Sequence, residues 1–586
     1  MPGETLFEPL RWSDIGIMAP ELVLGAWFVL LVVLDLLLPG RASRRSWIGG
    51  LTLAGLLGAG VLVLLRMIDM NGSEPAEVIS LLGDSYRIDD FGSLLKLFVL
   101  AGTAVVVLLG LGTAERDSAI TDKGEYFYLL LPAAMGAMMM ASSGNLITLY
   151  IGLELLSITS YVLAGLRRKS LLSAEATFKY VITGGVSSAF ILFGMSYLYG
   201  VTGSVQLDAI REALPAAVAS YEAFVYVGFG CMLAGFAVKI AAAPFHAWSL
   251  DVYQGAPTPV AAFLAVVSKG AALAMVLRIL FSTVLFAGVG GSVIGTALKD
   301  DILFAVLLVA AISMLLGTLA ALRQKNVKRL LALSGVANAG YLLVPIGAGV
   351  TMTHSNNVTE LIFYLVAYLL MTLGAFAVLT VVGRSVGHDE LKGFAGMYYR
   401  APWTAAAMTA LVLSLAGLPV SAGFFGKLFI LLGAANGKYY WIVAVMVLSS
   451  VISYYFYFGL VRQMFMRSGD GMLSERERLS VSEYESLDES GSARGRTQAE
   501  SVIGELAAGV EDGGPGGQPD PAYGAGTAAA DLEGRPDGTV RVPVPTGIVI
   551  WACAILTLAL GIFPQPLVAV IDSVFSILTD FVPMDR

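Results

Sequence analysis

Four charged residues interrupt long apolar stretches of the chain. Glu154 lies in the apolar sequence NLITLYIGLELLSITSYVLAG, and Lys239, Lys269 and Lys427 lie in three others. A charged side chain at the centre of a membrane costs about 2.5–3.5 kcal/mol on insertion scales, so such residues usually serve a function. Carboxylates and ammonium groups can gain or lose a proton, whereas a guanidinium stays charged. This set of residue types therefore predicts a relay that passes protons.

The predicted relay depends on the coupling between an acid and a base. Burial disfavours the charged form of a lysine, and a neighbouring carboxylate favours it. We therefore expect Glu154 to hold Lys239 in its charged form when the two are close. When they separate, Lys239 would release its proton, with Lys269 as the acceptor. The alternative is that the four charges form only structural ion pairs.

Two further residues are weaker candidates for proton transfer. His246 follows Pro244 and could either pass protons or cap a break in the helix. Lys179 comes four residues after Glu175, a spacing that also fits an ordinary pair on a helix surface. Asp251 could be an acid on the entry side or a loop charge. Lysines near the ends of apolar stretches are expected to extend to the membrane interface, and these are Lys96, Lys299 and Lys438.

The elements that must position these residues are predicted to be membrane-spanning helices. Of the 586 residues, 57% are hydrophobic and 14% are charged, and the mean hydropathy is +0.77. A soluble domain carries about 25% charged residues. Because a span needs about 20 apolar residues, the sequence predicts an all-α polytopic membrane protein with about fourteen spans. The predicted spans are 20–38, 47–68, 93–113, 125–143, 145–166, 173–201, 222–252, 258–287, 301–322, 326–350, 357–384, 402–433, 439–466 and 545–564.

Two of these spans are too long for one straight helix, and each contains a proline. They are 222–252, with Pro244, and 402–433, with Pro419, and we predict that both helices are broken. Each is the fourth of five spans, in the blocks 125–287 and 301–466. An odd number of spans reverses the direction of the chain, so the two blocks are predicted to be inverted five-helix repeats, which are typical of transporters.

Composition assigns the remaining segments. Residues 1–124 would hold the first three helices, and 545–586 the last helix and an amphipathic tail. Residues 468–541 contain fifteen acidic and six basic residues, which predicts a disordered acidic linker. Lysine and arginine concentrate in alternate loops, and this pattern predicts that both termini lie outside and the linker lies in the cytoplasm.

The longest motif of the chain resembles a known family. KIAAAPFHAWSLDVYQGAPTPVAAFLAVVSK, at 239–269, is similar to the hallmark of the antiporter-like membrane subunits of respiratory complex I. KNVKRLLALSGVANAGYLL, at 325–343, resembles the tenth helix of that family, and GLPVSAGFFGKLFIL, at 417–431, resembles its N-type members. The same family includes large subunits of multisubunit sodium/proton antiporters and of membrane-bound hydrogenases.

The resemblance implies a proton-translocating membrane subunit of a NADH:quinone oxidoreductase in a bacterial plasma membrane. Glu154, Lys239, Lys269 and Lys427 match charges on the family's fifth, seventh, eighth and twelfth helices. The sequence has no dinucleotide-binding glycine fingerprint, Walker A motif or Cys-x-x-Cys pair. We therefore expect no cofactor on this chain, and FMN, iron–sulfur clusters and quinone on partner subunits. The expected partners are a neighbouring antiporter-like subunit, small membrane subunits and the lipid bilayer, without nucleic acid.

Two other functions stay open at this point. A subunit of a sodium/proton antiporter or of a membrane-bound hydrogenase would have the same fold, although a sodium site favours more buried carboxylates than Glu154 alone. A non-conducting membrane scaffold would carry the same charges as structural pairs. Asn338 departs from the pattern of similar proteins, and because asparagine cannot titrate, a path from Lys269 to Lys427 would need water there.

Overall fold

A bundle of helices makes up most of the protein. The computed structural model describes residues 12–37, 46–71, 78–113, 117, 119–120, 122–286, 293–349, 356–466, 540, 542–574 and 581. Nearly all of the predicted acidic linker, 468–541, therefore lies outside the described residues. Twelve helices in the described part are long and apolar enough to cross a membrane.

The N-terminal part contains a short antiparallel hairpin that the sequence did not predict. Its two strands pair Ile79 with Ile88, and the turn between them includes Leu82, Gly83 and Asp84, all with positive φ. Strands of three residues carry too few side chains to show a period of two. The elements are α1 Trp12–Ile17, α2 Ala19–Leu37, α3 Ser46–Asn71, β1 Ile79–Leu81, β2 Tyr86–Ile88 and α4 Asp90–Thr113.

The next group of helices carries Glu154, Lys239 and Lys269. Two π-helical turns, Leu264–Ser268 and Phe281–Leu285, interrupt the predicted span 258–287. The predicted span 125–143 forms two shorter helices. The elements are α5 Lys123–Tyr128, α6 Leu130–Ala141, α7 Leu146–Ala164, α8 Leu171–Thr202, α9 Leu207–Lys239, α10 Ala247–Gly255, α11 Thr258–Phe263 and α12 Lys269–Leu280.

The last group carries Asn338 and Lys427. A 3₁₀ turn, Leu391–Phe394, lies between the third and fourth helices of this group. The elements are α13 Val293–Ala321, α14 Val327–Gly347, α15 Asn357–Val386, α16 Met397–Arg400, α17 Pro402–Ala416, α18 Ala422–Asn436, α19 Tyr440–Phe465, α20 Val544–Ile562 and α21 Gln565–Val574.

Both predicted breaks are present. Helix α9 ends at Lys239 and α10 begins at Ala247, with Pro244 between them, and α17 ends at Ala416 before α18 begins at Ala422. Residues Gly417 and Val420 have φ of 90° and 72°, which turns the chain out of the helical path. The predicted start of the first broken helix at 222 coincides with a kink at Tyr221, after which the helical path resumes. Helix α9 as a whole begins earlier, at Leu207. Its first turns are too polar to meet the rule for a span.

The two predicted repeats share one local feature. Asn145 caps α7 and forms an isolated β-bridge with Gln206, just before the first broken helix. Asn326 caps α14 and bridges to Glu390, just before the second broken helix. These positions correspond in the two blocks. The correspondence favours the repeat, but the inverted relation and the count of fourteen spans stay predictions.

Three spans form the centre of the bundle. In the most apolar stretches of Thr258–Leu285, Val327–Gly347 and Asn357–Val386, 94%, 100% and 89% of the residues are buried within the chain. Polar side chains on these helices therefore face other protein groups rather than lipid.

Candidate functional site

Lys239 binds a hydroxyl group at the end of α9. Its Nζ donates to Ser157 Oγ at 2.8 Å and lies 3.5 Å from Tyr161 Oη. Glu154 precedes Ser157 by three residues on α7, and its buried Oε1 has no hydrogen-bond partner among the described residues. The expected direct pair of Glu154 and Lys239 is therefore absent in this arrangement. The neutral serine one turn along the same helix takes the ammonium group instead.

A small cavity lies between Lys239 and the start of α12. Its volume is about 20 Å³, and its lining includes Ser157, Lys239, Trp248 and Ser268. A cavity needs about 10–15 Å³ to hold one water molecule, and this one has polar groups on several sides. Because Ser268 immediately precedes Lys269, one water molecule in this cavity would lie between the neighbourhoods of the two lysines.

Lys269 is buried in the centre of the bundle and binds a carbonyl. Its Nζ donates to the backbone oxygen of Gly335 on α14 at 2.7 Å, and the residue is 3% exposed. A methyl group at Gly335 would lie 3.1 Å from this Nζ and 3.0 Å from Tyr368 Oη. The glycine thus allows the lysine and the tyrosine to approach the same point of the helix. The π-helical turn before Lys269 is a feature often found at functional sites.

Hydroxyl and amide groups surround Asn338. Its Nδ2 donates to the Ser334 carbonyl at 2.9 Å, and Tyr364 Oη donates to its Oδ1 at 2.5 Å. The Ser334 hydroxyl in turn forms a hydrogen bond with the Tyr457 hydroxyl. The sequence predicted that water would have to fill this crossing. The structure places tyrosine and serine hydroxyls here, and each can donate and accept a hydrogen bond.

Lys427 binds the end of the helix that precedes it. Its Nζ donates to the carbonyls of Leu415 and Ala416 at 2.8 and 3.3 Å, and it lies 4.9 Å from the centre of the Tyr341 ring. The last carbonyls of a helix lack partners within the helix and favour a cation. A cavity of about 180 Å³ adjoins the lysine, with Tyr341, Ser450 and Tyr454 in its lining. The break therefore supplies the partners of Lys427.

The weaker candidates, Lys179 and His246, make no contact with the four relay residues among the hydrogen bonds and ion pairs of the described residues. Lys179 Nζ contacts carboxylate oxygens of Glu175 and Asp251, each at 2.6 Å, and Arg329 Nη1 lies 2.7 Å from the second oxygen of Asp251. The expected helix-surface pair is thus part of a larger, partly exposed ionic network. His246 is half-buried at the start of α10, where its side chain makes no capping hydrogen bond and its Nδ1 has no partner among the described residues.

The expectation that Lys96 extends to the interface is wrong. Lys96 is 2% exposed, and its Nζ lies 2.7 Å from Glu21 Oε1. Tyr86 Oη donates to the other oxygen of Glu21 at 2.8 Å. Helix α2 and strand β2 close over a lysine that lies only two turns from the start of its helix. Lys438 is exposed and Lys299 is half-buried.

Several other buried cations were not predicted from the sequence, and of these Arg278 and Lys328 lie on helices. Arg278 donates from Nη2 to Asp89 Oδ1 at 2.9 Å and to the Ala141 carbonyl at 2.6 Å, and Lys328 Nζ lies 3.0 Å from Asp389 Oδ2. Burial alone would raise the pKa of the Asp89 carboxyl group, but the guanidinium groups of Arg278 and Arg87 together outweigh burial and keep this pKa below its ordinary value. The sequence feature that could have indicated the burial of these two cations is their position near the end of an apolar stretch.

The chain is similar to known membrane proteins over nearly its whole length. Residues 143–453 match the family described as NADH:quinone oxidoreductase/Mrp antiporter, TM. NADH-quinone oxidoreductase subunit N of Paenibacillus sp. (strain JDR-2) is 57% identical over 98% of this chain and 99% of its own length. Subunit N of Brevibacillus brevis is 46% identical over 78% of this chain and 87% of its own length.

Solved structures have the same fold. A chain of respiratory complex I from Thermus thermophilus with bound aureothin matches with a TM-score of 0.67 and 28% identity, over 95% of this chain and 100% of that one. A chain of the Mrp complex from Dietzia sp. DQ12-45-1b matches with a TM-score of 0.73 over 97% of this chain and 98% of that one, but at 20% identity this likeness concerns the fold alone. The chain belongs to the NADH:quinone oxidoreductase/Mrp antiporter family of membrane subunits and, within it, to subunit N of NADH-quinone oxidoreductase.

Proposed function

We propose that this N subunit moves protons across the membrane through Glu154, Lys239, Lys269 and Lys427, driven by redox chemistry on other subunits. One observation carries the proposal. The three lysines are buried or half-buried, and each donates its hydrogen bonds to neutral hydroxyl or carbonyl oxygens. A buried ammonium group without a carboxylate partner can release its proton and leave no unpaired charge behind.

Glu154 acts on Lys239 without touching it. Charges interact over longer distances in the protein interior than in water, because the effective dielectric constant is lower. Glu154 is only half-buried, so a charged group on a neighbouring subunit can approach its carboxylate, and its inner oxygen has no hydrogen-bond partner among the described residues. When a cation on a neighbouring subunit approaches Glu154, its hold on Lys239 weakens, and Lys239 passes its proton through the small cavity toward Lys269.

The path from Lys269 to Lys427 follows hydroxyl groups. Tyr368 lies against the same glycine as Lys269, and Tyr364 bonds Asn338. Asn338 does not need to titrate, because its role is to orient hydroxyl groups that both donate and accept. Lys427 is the last lysine of the relay, and its cavity of about 180 Å³ has room for several water molecules, since about 10–15 Å³ is enough for one.

The proton enters from the cytoplasm and leaves on the outer face. In this orientation both termini lie outside the plasma membrane and the acidic linker lies in the cytoplasm. FMN, iron–sulfur clusters and quinone belong to partner subunits. The neighbouring antiporter-like subunit and the small membrane subunits transmit the driving signal.

The test uses the assembled oxidoreductase in sealed vesicles. Lys239→Ala should abolish NADH-driven proton uptake, while Lys438→Ala, which removes an exposed lysine, should leave it unchanged. Electron transfer from NADH to a soluble acceptor, measured in the same samples, shows that the redox subunits are active, and the amount of this chain in the purified complex shows that it is assembled. Full proton uptake by Lys239→Ala would refute the relay and favour a scaffold. Uptake that requires sodium ions would instead identify an antiporter.

A further inference from the structure

A polar stripe on α15 has no part in the sequence-based relay. Glu360, Tyr364 and Tyr368 recur every four residues and so lie on one face of this helix. All three are buried, with exposures of 3%, 0% and 1%. They lie in a helix that is otherwise strongly apolar, so their polar atoms must have partners or a role inside the protein.

The inner end of the stripe lies at the relay. Tyr368 Oη and Lys269 Nζ both lie against Gly335, and Tyr364 Oη donates to Asn338. The eight residues from Tyr368 to Glu360 span about 12 Å along the helix axis. The stripe therefore extends from the relay residue Lys269 toward the first turn of α15.

The other end of the stripe reaches the surface. Thr359, next to Glu360, donates from Oγ1 to Asp572 Oδ1 on α21 at 2.6 Å. Asp572 is exposed. In the orientation proposed above, this end of α15 faces the outside. The hydroxyl of Thr359 therefore holds the exposed carboxylate of Asp572 beside the turn of α15 that carries the buried Glu360.

Two glycines on α18 make room for the stripe. Gly426 lies against the Tyr364 ring, and a methyl group at Gly433 would lie 2.5 Å from Glu360 Oε2. Lys427 lies between these glycines in the sequence. Glu360 is thus packed against the helix that carries the last lysine of the relay, about 9 Å farther along its axis than Lys427.

Glu360 has the state expected of a proton carrier. Its Oε2 is buried and has no hydrogen-bond partner among the described residues. A buried carboxylate without a partner is unfavourable, and the group is relieved when it takes up a proton. A protonated carboxyl group can then donate that proton again.

We propose that Glu360 accepts the proton that leaves the relay beside Lys427 and transfers it to Asp572 at the surface, the carboxylate that the Thr359 hydroxyl holds beside this end of α15. In this step Glu360 gains a proton from water next to Lys427 and loses it, through water, to the carboxylate of Asp572. No bond other than O–H and N–H bonds changes. The inference rests on the proton relay proposed above and adds its exit.

The experiment compares Glu360→Gln with Glu360→Asp in the assembled complex in sealed vesicles. A positioned acid or base contributes about 10²-fold or more to proton transfer. Because water can partly replace the missing carboxyl group, we expect coupled NADH-driven proton uptake to fall by about tenfold in the glutamine variant. The aspartate variant should keep most of its activity, since it can carry a proton. Glu212→Gln, which neutralises an exposed carboxylate on α9, is the matched control and should have no effect.

The outcomes separate the two proposals. Normal uptake by Glu360→Gln, together with loss of uptake by Lys239→Ala, would overturn the exit and leave the relay intact. Normal uptake by both variants would overturn the relay itself. If Glu360→Gln fails to assemble, Asp572→Asn decides, because that residue is exposed: a fall in uptake supports the exit, and unchanged uptake counts against it.

Discussion

Two sets of cations on the helices of this chain differ in their partners. The first set donates hydrogen bonds to hydroxyl and carbonyl oxygens and consists of Lys239, Lys269 and Lys427. The second set contacts carboxylates and consists of Lys96, Arg278 and Lys328. The members of the second set lie near helix ends, whereas Lys269 and Lys427 are held at interruptions of helices. Lys239 is half-buried and the other five cations are buried, so the two sets are distinguished by their partners rather than by burial.

The difference in partners separates cations that hold helices in position from lysines that can change their protonation state. A carboxylate at ion-pair distance stabilises the charged form of its partner and fixes two elements relative to each other. Neutral oxygens accept a hydrogen bond from the charged form but do not require the charge. The ion-paired set therefore holds helices in place, and the other set can change its protonation state during turnover.

The largest expected effect comes from a substitution at Lys269 that keeps the positive charge but prevents the release of a proton. Lys269→Arg retains a cation that cannot release its proton, so coupled proton uptake should fall by about 10³-fold, within the range for a positioned acid or base. Lys96→Arg is the matched control, because its carboxylate partner accepts a guanidinium. Proton uptake in vesicles, with NADH as donor, measures both. Equal behaviour of the two variants would remove the distinction between the sets.

The second prediction concerns the ion-paired set. Asp89→Asn leaves the Arg278 guanidinium buried without this carboxylate, and breaking a buried pair in this way costs about 3–5 kcal/mol. We expect a lower Tm of the purified complex and a lower yield of assembled subunit. Complexes that do assemble should pump normally per NADH oxidised. A selective loss of pumping at an unchanged Tm would place Arg278 in the relay.

The pH dependence of the same pair has a definite sign. The pKa of Asp89 in the folded chain lies below its ordinary value. Its stabilising contribution is therefore complete above the unfolded carboxyl pKa of about 3.9 and is lost as the pH falls through the lower, folded value. The difference in Tm between the wild type and Asp89→Asn should be constant near neutral pH and shrink only in strong acid.

The smallest expected effect is at Asn338, between Lys269 and Lys427. Tyr364→Phe removes one hydrogen bond to Asn338, which is worth about 1 kcal/mol, so coupled uptake should fall by about fivefold. Tyr398→Phe, at an exposed tyrosine, is the control. If Tyr364→Phe pumps at the full rate, water rather than hydroxyl groups carries the proton past Asn338.

The sequence was sufficient for features that depend on single residues. Prolines 244 and 419 predicted both helix breaks, because proline cannot continue a helix without losing a hydrogen bond. The depth of the charged residues in apolar stretches predicted the burial of Lys269 and Lys427. These inferences need only chain spacing and the cost of charge in a membrane.

Features that depend on two distant segments could not be predicted in this way. Lys96 meets Glu21 because another helix folds over it, and the Lys239 ammonium group binds Ser157 on a different helix. Tyr364 and Tyr368 were overlooked because tyrosine is common in apolar helices. Their four-residue spacing was visible, but its meaning depends on which helix faces them.

The partners of Lys427 have a consequence for natural variation. Its acceptors are main-chain oxygens of Leu415 and Ala416, and every residue type supplies the same oxygen at those positions. Random substitutions there should therefore change packing but leave the acceptors in place, which protects this site from most single-codon changes. The sensitive positions are Gly417 and Val420, which interrupt the helix and leave these carbonyls without partners inside it. Both have a positive φ, so natural variation there is limited by the backbone conformation that the new residue can adopt.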